Sequence, residues 1–369
     1  MTQIIIAPSR YVQGRGAIND IGEHAGIFGK KVLVVGGNTG LASTRQGREE
    51  SFAKHGITQV EELFGGECSD AEIARLSEIA RSQECDVAMA SGGGKTIDTV
   101  KVVAANVNAA TVIVPTTAST DAPCSALSVV YSDEGVFDKF FVPPRNPDLV
   151  LVDTQIVANG PARLLVAGMG DALATWFEAD AAARSCALNL PGGQMTQAAL
   201  TLARLCYDIL MECGLQAKIA VEESVVTPAL EKVVEANTLL SGVGFESGGL
   251  AAAHSMQDGF TLLEEIHDFL HGEKVAFLTL VQLVMEARPK EVIRKVFDFC
   301  IKVGLPVCLE DLNIHKAGPK RLMEAVEESC LPGKIMFNHA FPITAEFVYD
   351  AMISADAMGR RVKAGQPIV

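Results

Sequence analysis

One stretch decides the fold of this chain: Asp86-Val87-Ala88-Met89-Ala90-Ser91-Gly92-Gly93-Gly94-Lys95-Thr96-Ile97-Asp98-Thr99. Its first five residues predict a buried strand, its three glycines a turn, and the residues from Thr96 to about Ala105 a helix. Glycines in such a turn let the backbone approach a diphosphate, and the helix N-terminus supplies free N–H donors and a partial positive charge. The alternative is a tight turn without a ligand. We favour phosphate binding.

The two standard phosphate-binding motifs do not fit the chain. A P-loop has the pattern G-x-x-x-x-G-K-[ST], but Met89 stands at the first glycine position before Gly94-Lys95-Thr96. A Rossmann fingerprint has the pattern G-x-G-x-x-G/A, whereas the predicted strand 31–35 is followed by Gly36-Gly37-Asn38-Thr39-Gly40. The sequence therefore predicts a dinucleotide site of another kind.

Outward from this turn, the first half of the chain alternates between predicted strands and helices. Strands are predicted at 31–35, 86–90, 110–115 and 148–153, with a helix at 70–83 behind the N-cap candidate Ser69. Strands separated by helices indicate βαβ units and a parallel sheet. We expect an α/β nucleotide-binding domain over residues 1–160.

The second half of the chain has a different texture, rich in Ala, Leu and Met at helical spacing. Helices are predicted at 172–185, 195–213, 227–242, 250–264, 273–286, 290–303, 319–329 and 344–357. The change occurs near Asn159-Gly160-Pro161, where Gly-Pro breaks regular structure. We expect a helical domain over residues 161–369.

Composition excludes several classes of protein. A chain of 369 residues that is 49% hydrophobic is long enough for two cores. Its 31 basic against 45 acidic residues give a net charge of −14, which argues against nucleic acid or an anionic membrane as partner. The uncharged stretches 102–120 and 185–203 are interrupted by Asn, Pro or Gly, and no signal peptide is evident. Nine scattered cysteines without a CxxC pair indicate reduced thiols and a cytoplasmic protein.

Three stretches of the second half contain residues that bind metals. Asp171 lies at a predicted helix start, His254 on a small-residue helix, and His267 and His271 just before another helix. Two imidazoles and one carboxylate are a common catalytic zinc set that leaves a position open for water or substrate oxygen. Spacing alone leaves open whether Asp171 is only an N-cap and His254 only a core histidine.

Longer motifs complete the pattern: Phe64-Gly65-Gly66-Glu67-Cys68, the stretch 92–99, 119–123, 125–128, 170–176, 244–254 and 271–277. On these motifs the chain resembles the glycerol dehydrogenases of the iron-containing (group III) alcohol dehydrogenase family over nearly its whole length, more weakly after about Leu312. The resemblance implies a dehydroquinate synthase-like α/β domain with a parallel sheet and an all-helical C-terminal domain, with the cleft between them. It also implies a homo-oligomer, often an octamer.

The resemblance also implies site residues. Asp171, His254 and His271 match the family's zinc ligands, and Asp121 matches the acid that contacts the polyol. His267 is a candidate outer-sphere proton relay, or only a residue at the start of a helix. The positions that match those lining the dinucleotide are Gly37, Gly93, Gly94, Lys95, Thr116, Ser119, Ser125, Leu127 and Tyr131.

The implied activity is reversible, NAD-dependent oxidation of glycerol, or a related small vicinal diol, by hydride transfer from a zinc-bound alkoxide. One alternative is a dehydroquinate synthase-like lyase with NAD and a metal. It is disfavoured because Lys274 is the main basic residue near the ligands in sequence. An NADP-tolerant reductase of small hydroxyketones or aldehydes and a non-enzymatic binding protein are further alternatives.

The chain departs from the family pattern in places. Gly37 stands where NAD-using relatives usually carry an Asp, whose carboxylate would bind the adenosine ribose and repel a 2′-phosphate. We therefore expect weaker discrimination against NADP. Gln257-Asp258 replaces a usual His-Asn, Leu278 replaces a usual Gly, and the tail 337–342 differs. The three ligand positions are intact.

Overall fold

A computed structural model describes residues 2–133 and 135–368, and its contacts divide the chain into two units. The first, called here the sheet unit, comprises Ile6–Leu165 and Ile219–Gly242. The second, the helical unit, comprises Met1–Ile5, Val166–Lys218 and Val243–Val369. These bounds differ from the predicted division after residue 160. The N-terminal segment Met1–Ile5 belongs to the helical unit, and the later segment Ile219–Gly242 belongs to the sheet unit.

The strands of the described residues all lie in the sheet unit. They are β1 Tyr11–Gly14, β2 Lys31–Gly36, β3 Thr58–Leu63, β4 Val87–Gly92, β5 Ala110–Pro115, β6 Ser128–Tyr131, β7 Phe137–Phe141 and β8 Leu149–Asp153. Six of them form a sheet in the order β1-β8-β5-β4-β2-β3, in which every pair is parallel. Strands β6 and β7 form a separate antiparallel pair. The predicted parallel sheet is confirmed.

The α-helices that the structure describes are, in chain order, α1 Ile21–Ala25, α2 Asn38–His55, α3 Asp70–Ser82, α4 Gly94–Val107, α5 Thr154–Ala158, α6 Ala162–Ser185, α7 Gln197–Glu222, α8 Pro228–Glu235, α9 Ser241–Gly248, α10 Ala252–Phe260, α11 His271–Met285, α12 Lys290–Val303, α13 Gly318–Ser329 and α14 Ala345–Lys363. The helical unit contains no described strand, as predicted. A membrane-spanning helix is absent from the described part of the chain.

The sheet is buried on both faces, as expected of a parallel sheet covered by helices. All residues of β4 and β8 are buried, as are all but the first residue of β2 and β5. On one face, Ile21 of α1 and Phe52 of α2 pack in one cluster with strand residues that include Val34, Met89 and Leu151. Burial of each such side chain stabilises the fold by about 1.5–3 kcal/mol.

Sequence patterns did not predict α2, which is mostly polar. Its Arg48 is buried and bonds side chains from two directions: Glu61 and Gln59 on β3, and Thr44 one turn earlier on α2. Because these partners satisfy the guanidinium, a polar helix face can be buried. Tertiary contacts, rather than an apolar stripe, hold this helix.

Segment 219–242 belongs to the sheet unit through side-chain hydrogen bonds. Glu231 on α8 accepts hydrogen bonds from Gln13 on β1 and from Thr154 at the start of α5. The hydroxyl groups of Tyr11 and Thr238 lie 2.8 Å apart. The predicted helix 227–242 is interrupted by a π-helix at Ala236–Leu240, a feature that is frequent at functional sites.

Asp153, the last residue of β8, connects this strand to the segment 16–18 and to the start of α5. Its carboxylate accepts backbone N–H bonds from Gly16 at 3.0 Å, Ile18 at 3.2 Å and Gln155 at 2.9 Å. The last of these caps α5, and the side chain is buried. A buried carboxylate with several amide donors makes strong charge-assisted bonds, and without it those amides would lose their acceptor.

We expect Asp153→Ala to lower the free energy of unfolding by about 3 kcal/mol, because it removes a helix cap and leaves buried N–H groups without an acceptor. Urea denaturation measures this. The matched control is Asp208→Ala, which removes an exposed pair with Arg204 and is expected to cost less than about 1 kcal/mol. Equal losses in the two variants would contradict this reading.

Candidate metal centre and dinucleotide turn

Two helices of the helical unit touch backbone to backbone beside Asp171. A Cβ placed on Gly272 would lie 1.8 Å from the Ala167 carbonyl oxygen, and one on Gly170 would lie 2.2 Å from the Gly272 carbonyl oxygen. Only glycine therefore fits at either position. The contact brings Asp171, on α6, next to His271, the first residue of α11.

Asp171, His254 and His271 converge on one point. The Asp171 Oδ1 atom lies 3.5 Å from His254 Nε2 and 3.2 Å from His271 Nε2. Their candidate ligand atoms all lie within 4.8 Å of one another, the one such group of His, Cys, Asp or Glu found among the described residues. Asp171 is buried whereas His271 is 40% exposed, so the group opens on one side.

Glu178, two turns after Asp171 on the same face of α6, holds His254 from behind. Its Oε2 atom lies 2.5 Å from His254 Nδ1, and its Oε1 accepts the backbone N–H groups of Ala251 and His254 at 3.0 and 2.9 Å. The carboxylate is fully buried. Sequence reasoning missed this residue, although its helical spacing from Asp171 was visible.

The arrangement fits a cation. Since Glu178 accepts the Nδ1–H of His254, a neutral ring would present the lone pair of Nε2 to the Asp171 oxygen. Two acceptors that face each other at this distance repel unless positive charge lies between them, either a proton on the ring or a metal ion. Two imidazole nitrogens and one carboxylate oxygen are a donor set that suits zinc and other divalent metals.

The charges around His254 and Asp171 shift the pKa of both groups. Burial alone would lower the pKa of His254, but the carboxylates of Glu178 and Asp171 outweigh it and raise the pKa well above its usual value. Burial alone would raise the pKa of Asp171, but the His271 and His254 rings hold the pKa of that carboxyl well below its usual range. The pocket thus stabilises positive charge beside Asp171.

The remaining residues near these ligands behave differently. His267 is exposed, and its Nε2 lies 3.3 Å from the Thr261 carbonyl oxygen, outside the three-residue group. Gln257 and Leu278 are buried, and Asp258 lies 3.4 Å from Lys334. The side chains at 257, 258 and 278 thus lie within the helical unit, in which the three ligand candidates remain grouped.

In the sheet unit, the glycine turn joins β4 to α4 as predicted, with the helix beginning at Gly94. A Cβ on Gly93 or Gly94 would meet no atom closer than 3.8 Å, so it would make only ordinary van der Waals contacts there. Gly93, the N-cap residue, has no side chain that could cap α4, so the first N–H donors of the helix need another acceptor, and an anion is one that suits them.

Several predicted dinucleotide positions gather at one edge of the sheet. Gly37 follows β2, Gly93 follows β4 and Thr116 follows β5, and these three strands are neighbours. Because the strands are parallel, their carboxyl ends meet at the same edge, where α/β proteins bind ligands. The Thr116 N–H donates to the Gly92 carbonyl at 3.1 Å, which joins two of these stretches.

Lys95 and Tyr131 lie together beside this turn. The Lys95 ammonium is 5.9 Å from the centre of the Tyr131 ring and forms an ion pair with Glu67. The Tyr131 N–H donates to the Cys68 carbonyl at 2.8 Å. The motif that contains Glu67 and Cys68 thus contacts two of the predicted positions.

The loop after β5 is held by the segment around the π-helix. Asn237, buried on that helix, donates to the Ala118 carbonyl at 2.9 Å, and Ser241 donates to Asp121 Oδ2 at 2.8 Å. Ser119 lies within the same loop, its hydroxyl 3.1 Å from that of Thr117. Asn237 and Ser241 were not singled out from sequence, because no local pattern pairs them with this loop.

Comparison with known proteins identifies relatives of this chain. Residues 8–154 match the family model described as iron-containing alcohol dehydrogenase. A glycerol dehydrogenase of Escherichia coli O6:H1 is 50% identical over 98% of each chain, and a glycolaldehyde reductase of Halobacterium salinarum is 44% identical over 98% of this chain and 100% of its own. The crystal structure of a probable glycerol dehydrogenase from Sinorhizobium meliloti 1021 is 42% identical with a TM-score of 0.91, covering 98% of this chain and 99% of that one.

We expect Glu178→Gln to weaken divalent metal binding by about 10- to 100-fold, because the amide no longer holds the His254 ring with a charged acceptor. Zinc retained after dialysis against graded chelator, measured by elemental analysis, checks this. The control Glu324→Gln changes an exposed side chain of α13 and should leave zinc retention unchanged. Wild-type retention in Glu178→Gln would show that Glu178 does not position a ligand.

Proposed function

The chain belongs to the iron-containing alcohol dehydrogenase family, and we propose that it oxidises glycerol and related small vicinal diols reversibly with NAD. The glycerol dehydrogenase that is 50% identical along the whole chain supports this substrate class. The observation that carries the proposal is the convergence of Asp171, His254 and His271 on one point of the helical unit.

In the proposed mechanism Asp171, His254 and His271 hold a divalent metal, for which zinc is the best match to the donor set. When bound, the metal would supply Lewis-acid stabilisation of a substrate oxygen and the dinucleotide would supply the hydride acceptor. Glu178 keeps the His254 ring oriented. Asp121, held by Ser241, would hydrogen-bond a substrate hydroxyl.

His267 remains our proposed outer-sphere proton relay, and its exposure would let it exchange protons with water. It would act on protons released from the substrate side and would not bind the metal. We further propose that the protein is cytoplasmic and forms a homo-oligomer, an octamer by family resemblance. The nine cysteines, all free, agree with a reducing compartment.

We propose that the sheet unit binds the dinucleotide and the helical unit the metal and the polyol. Lining positions in the sheet unit would be Gly37, Gly93, Gly94, Lys95, Thr116, Ser119, Ser125, Leu127 and Tyr131. The uncapped start of α4 would receive the diphosphate. Lys95 now pairs with Glu67, so its contribution to cofactor binding would include exchange of that carboxylate for a phosphate.

The decisive assay is NADH formation from glycerol at alkaline pH, before and after EDTA and again after zinc is restored. We expect activity to disappear with chelation and return with zinc. Net NADH formation from a polyol contradicts the lyase, which recycles its cofactor. Inactivity with polyols, hydroxyketones and aldehydes, with NAD(H) as with NADP(H), would refute the proposed function and favour the lyase or a non-enzymatic role.

A second candidate, reduction of a small hydroxyaldehyde or hydroxyketone, is favoured by the 44% identical glycolaldehyde reductase. The same active site would run the reverse reaction. Comparison of kcat/KM for glycerol oxidation with that for reduction of dihydroxyacetone and glycolaldehyde separates the two. A clear preference for glycolaldehyde would identify the second candidate as the better description.

Cofactor preference gives a separate test at Gly37. A Cβ there would meet no atom within 4 Å, and the backbone angles of φ −71° and ψ 166° suit any residue. We expect Gly37→Asp to raise the ratio of kcat/KM for NAD over NADP by about tenfold or more, because its carboxylate would repel a 2′-phosphate.

The control for this change is Gly37→Asn, which has the same size without the charge and should shift the ratio much less. Initial rates with saturating glycerol and varied NAD or NADP provide the measurement. A wild-type enzyme that already favours NAD by roughly a hundredfold, about 2.7 kcal/mol, would contradict the role we assign to Gly37.

A further inference from the structure

A lysine is buried inside the sheet unit without contacting the metal residues. Lys101, on α4, is 2% exposed. Its ammonium lies 2.7 Å from the Leu127 carbonyl oxygen, 3.4 Å from the Ser125 hydroxyl and 3.4 Å from Asp98 Oδ1. A lysine ammonium has three N–H donors, so each donor has an acceptor here.

Asp98, one turn earlier on α4, holds the same segment by other atoms. Its Oδ2 accepts the Val129 backbone N–H at 3.1 Å, and its backbone carbonyl accepts the Ser128 hydroxyl at 3.1 Å. Segment 125–129 is thus bonded to α4 through two residues of opposite charge, and its last two residues begin β6.

We infer that Asp98 and Lys101 are a positioning pair, which sets segment 125–129 against the glycine turn so that both contact one dinucleotide. The inference rests on the proposed function, because Ser125, Leu127 and the following Tyr131 are positions proposed to line that cofactor. Neither Asp98 nor Lys101 touches the cofactor in this account.

Helix α4 is the rigid element to which the positioning pair belongs. Its first turn presents the amides proposed to bind the diphosphate, and Lys101 lies about 9 Å further along the helix axis from Lys95. A helix keeps such a distance constant, whereas a loop does not. The pair forms directional hydrogen bonds to a carbonyl, a hydroxyl and an amide of segment 125–129. These bonds hold the segment at a fixed distance from the first turn of α4.

Stability alone is a poor reason for such a pair. Desolvation of two buried charges offsets much of their attraction, and apolar residues of similar size often stabilise a fold equally well. What the charges add is geometry, since each bond restricts where one atom of the segment can lie. A change that removes the pair should therefore affect cofactor binding more than folding.

The test is Lys101→Met, which keeps the unbranched stem and removes the ammonium, together with the double variant Asp98→Asn/Lys101→Met, which removes both charges. We expect the Kd for NADH, measured by calorimetry, to rise about tenfold in both. KM for NAD should rise with a smaller change in kcat, and bound zinc should stay at the wild-type level. Amide hydrogen exchange over 125–131 should become faster, and Lys101→Arg should recover part of the affinity.

The matched control is Val103→Ala, a buried apolar truncation on the same helix, which should lower the thermal midpoint and leave the Kd for NADH unchanged. Wild-type affinity in both test variants would overturn the inference and leave the proposed function intact. A wild-type protein that binds neither NADH nor NADPH would overturn the proposed function and the inference with it. If the test variants fail to fold, Asp98→Glu decides: an unchanged Kd and unchanged exchange over 125–131 overturn the inference.

Discussion

A buried charge needs an opposite charge or hydrogen-bond partners directly beside it, and both units meet this requirement at particular residues. In the helical unit, Asp171 is compensated by two imidazoles, while Glu178 is compensated by His254 and two amides. In the sheet unit, Asp153 collects three amides. Each charge is expensive to bury, so its partners are held in defined places, and those places determine where the functional groups lie.

The parallel sheet supplies the second part of the arrangement. Strands β2, β4 and β5 are neighbours and run in the same direction, so the residues that follow them share one edge. That geometry gathers Gly37, the glycine turn and Thr116 although they are far apart in sequence. The open backbone of the turn and the uncapped start of α4 suit a diphosphate there without either standard nucleotide-binding motif.

Substrate choice within the family depends on finer features. Proteins named for glycerol and for glycolaldehyde match this chain over nearly its whole length at similar identity. Overall sequence similarity therefore does not separate these two substrates. We expect substrate discrimination to depend on side chains around the three metal-binding candidates, among them Gln257 and Asp258, the latter beside Lys334. We therefore expect the site to indicate the reaction class more readily than the substrate.

The sequence by itself determined what depends on local pattern: four strands of the sheet, the strand–turn–helix at the glycines, and the helical character of the second half, since side-chain periodicity and glycine are properties of neighbouring residues. Together with the family motifs it also singled out Asp171, His254 and His271. Only the tertiary structure showed the contacts of Glu178 and Lys101 and the joining of 219–242 to the sheet unit. The polar helix α2 likewise depends on Arg48 and its distant partner Glu61. In these cases a buried polar group finds partners far away in sequence, and no local period records which partner it will meet.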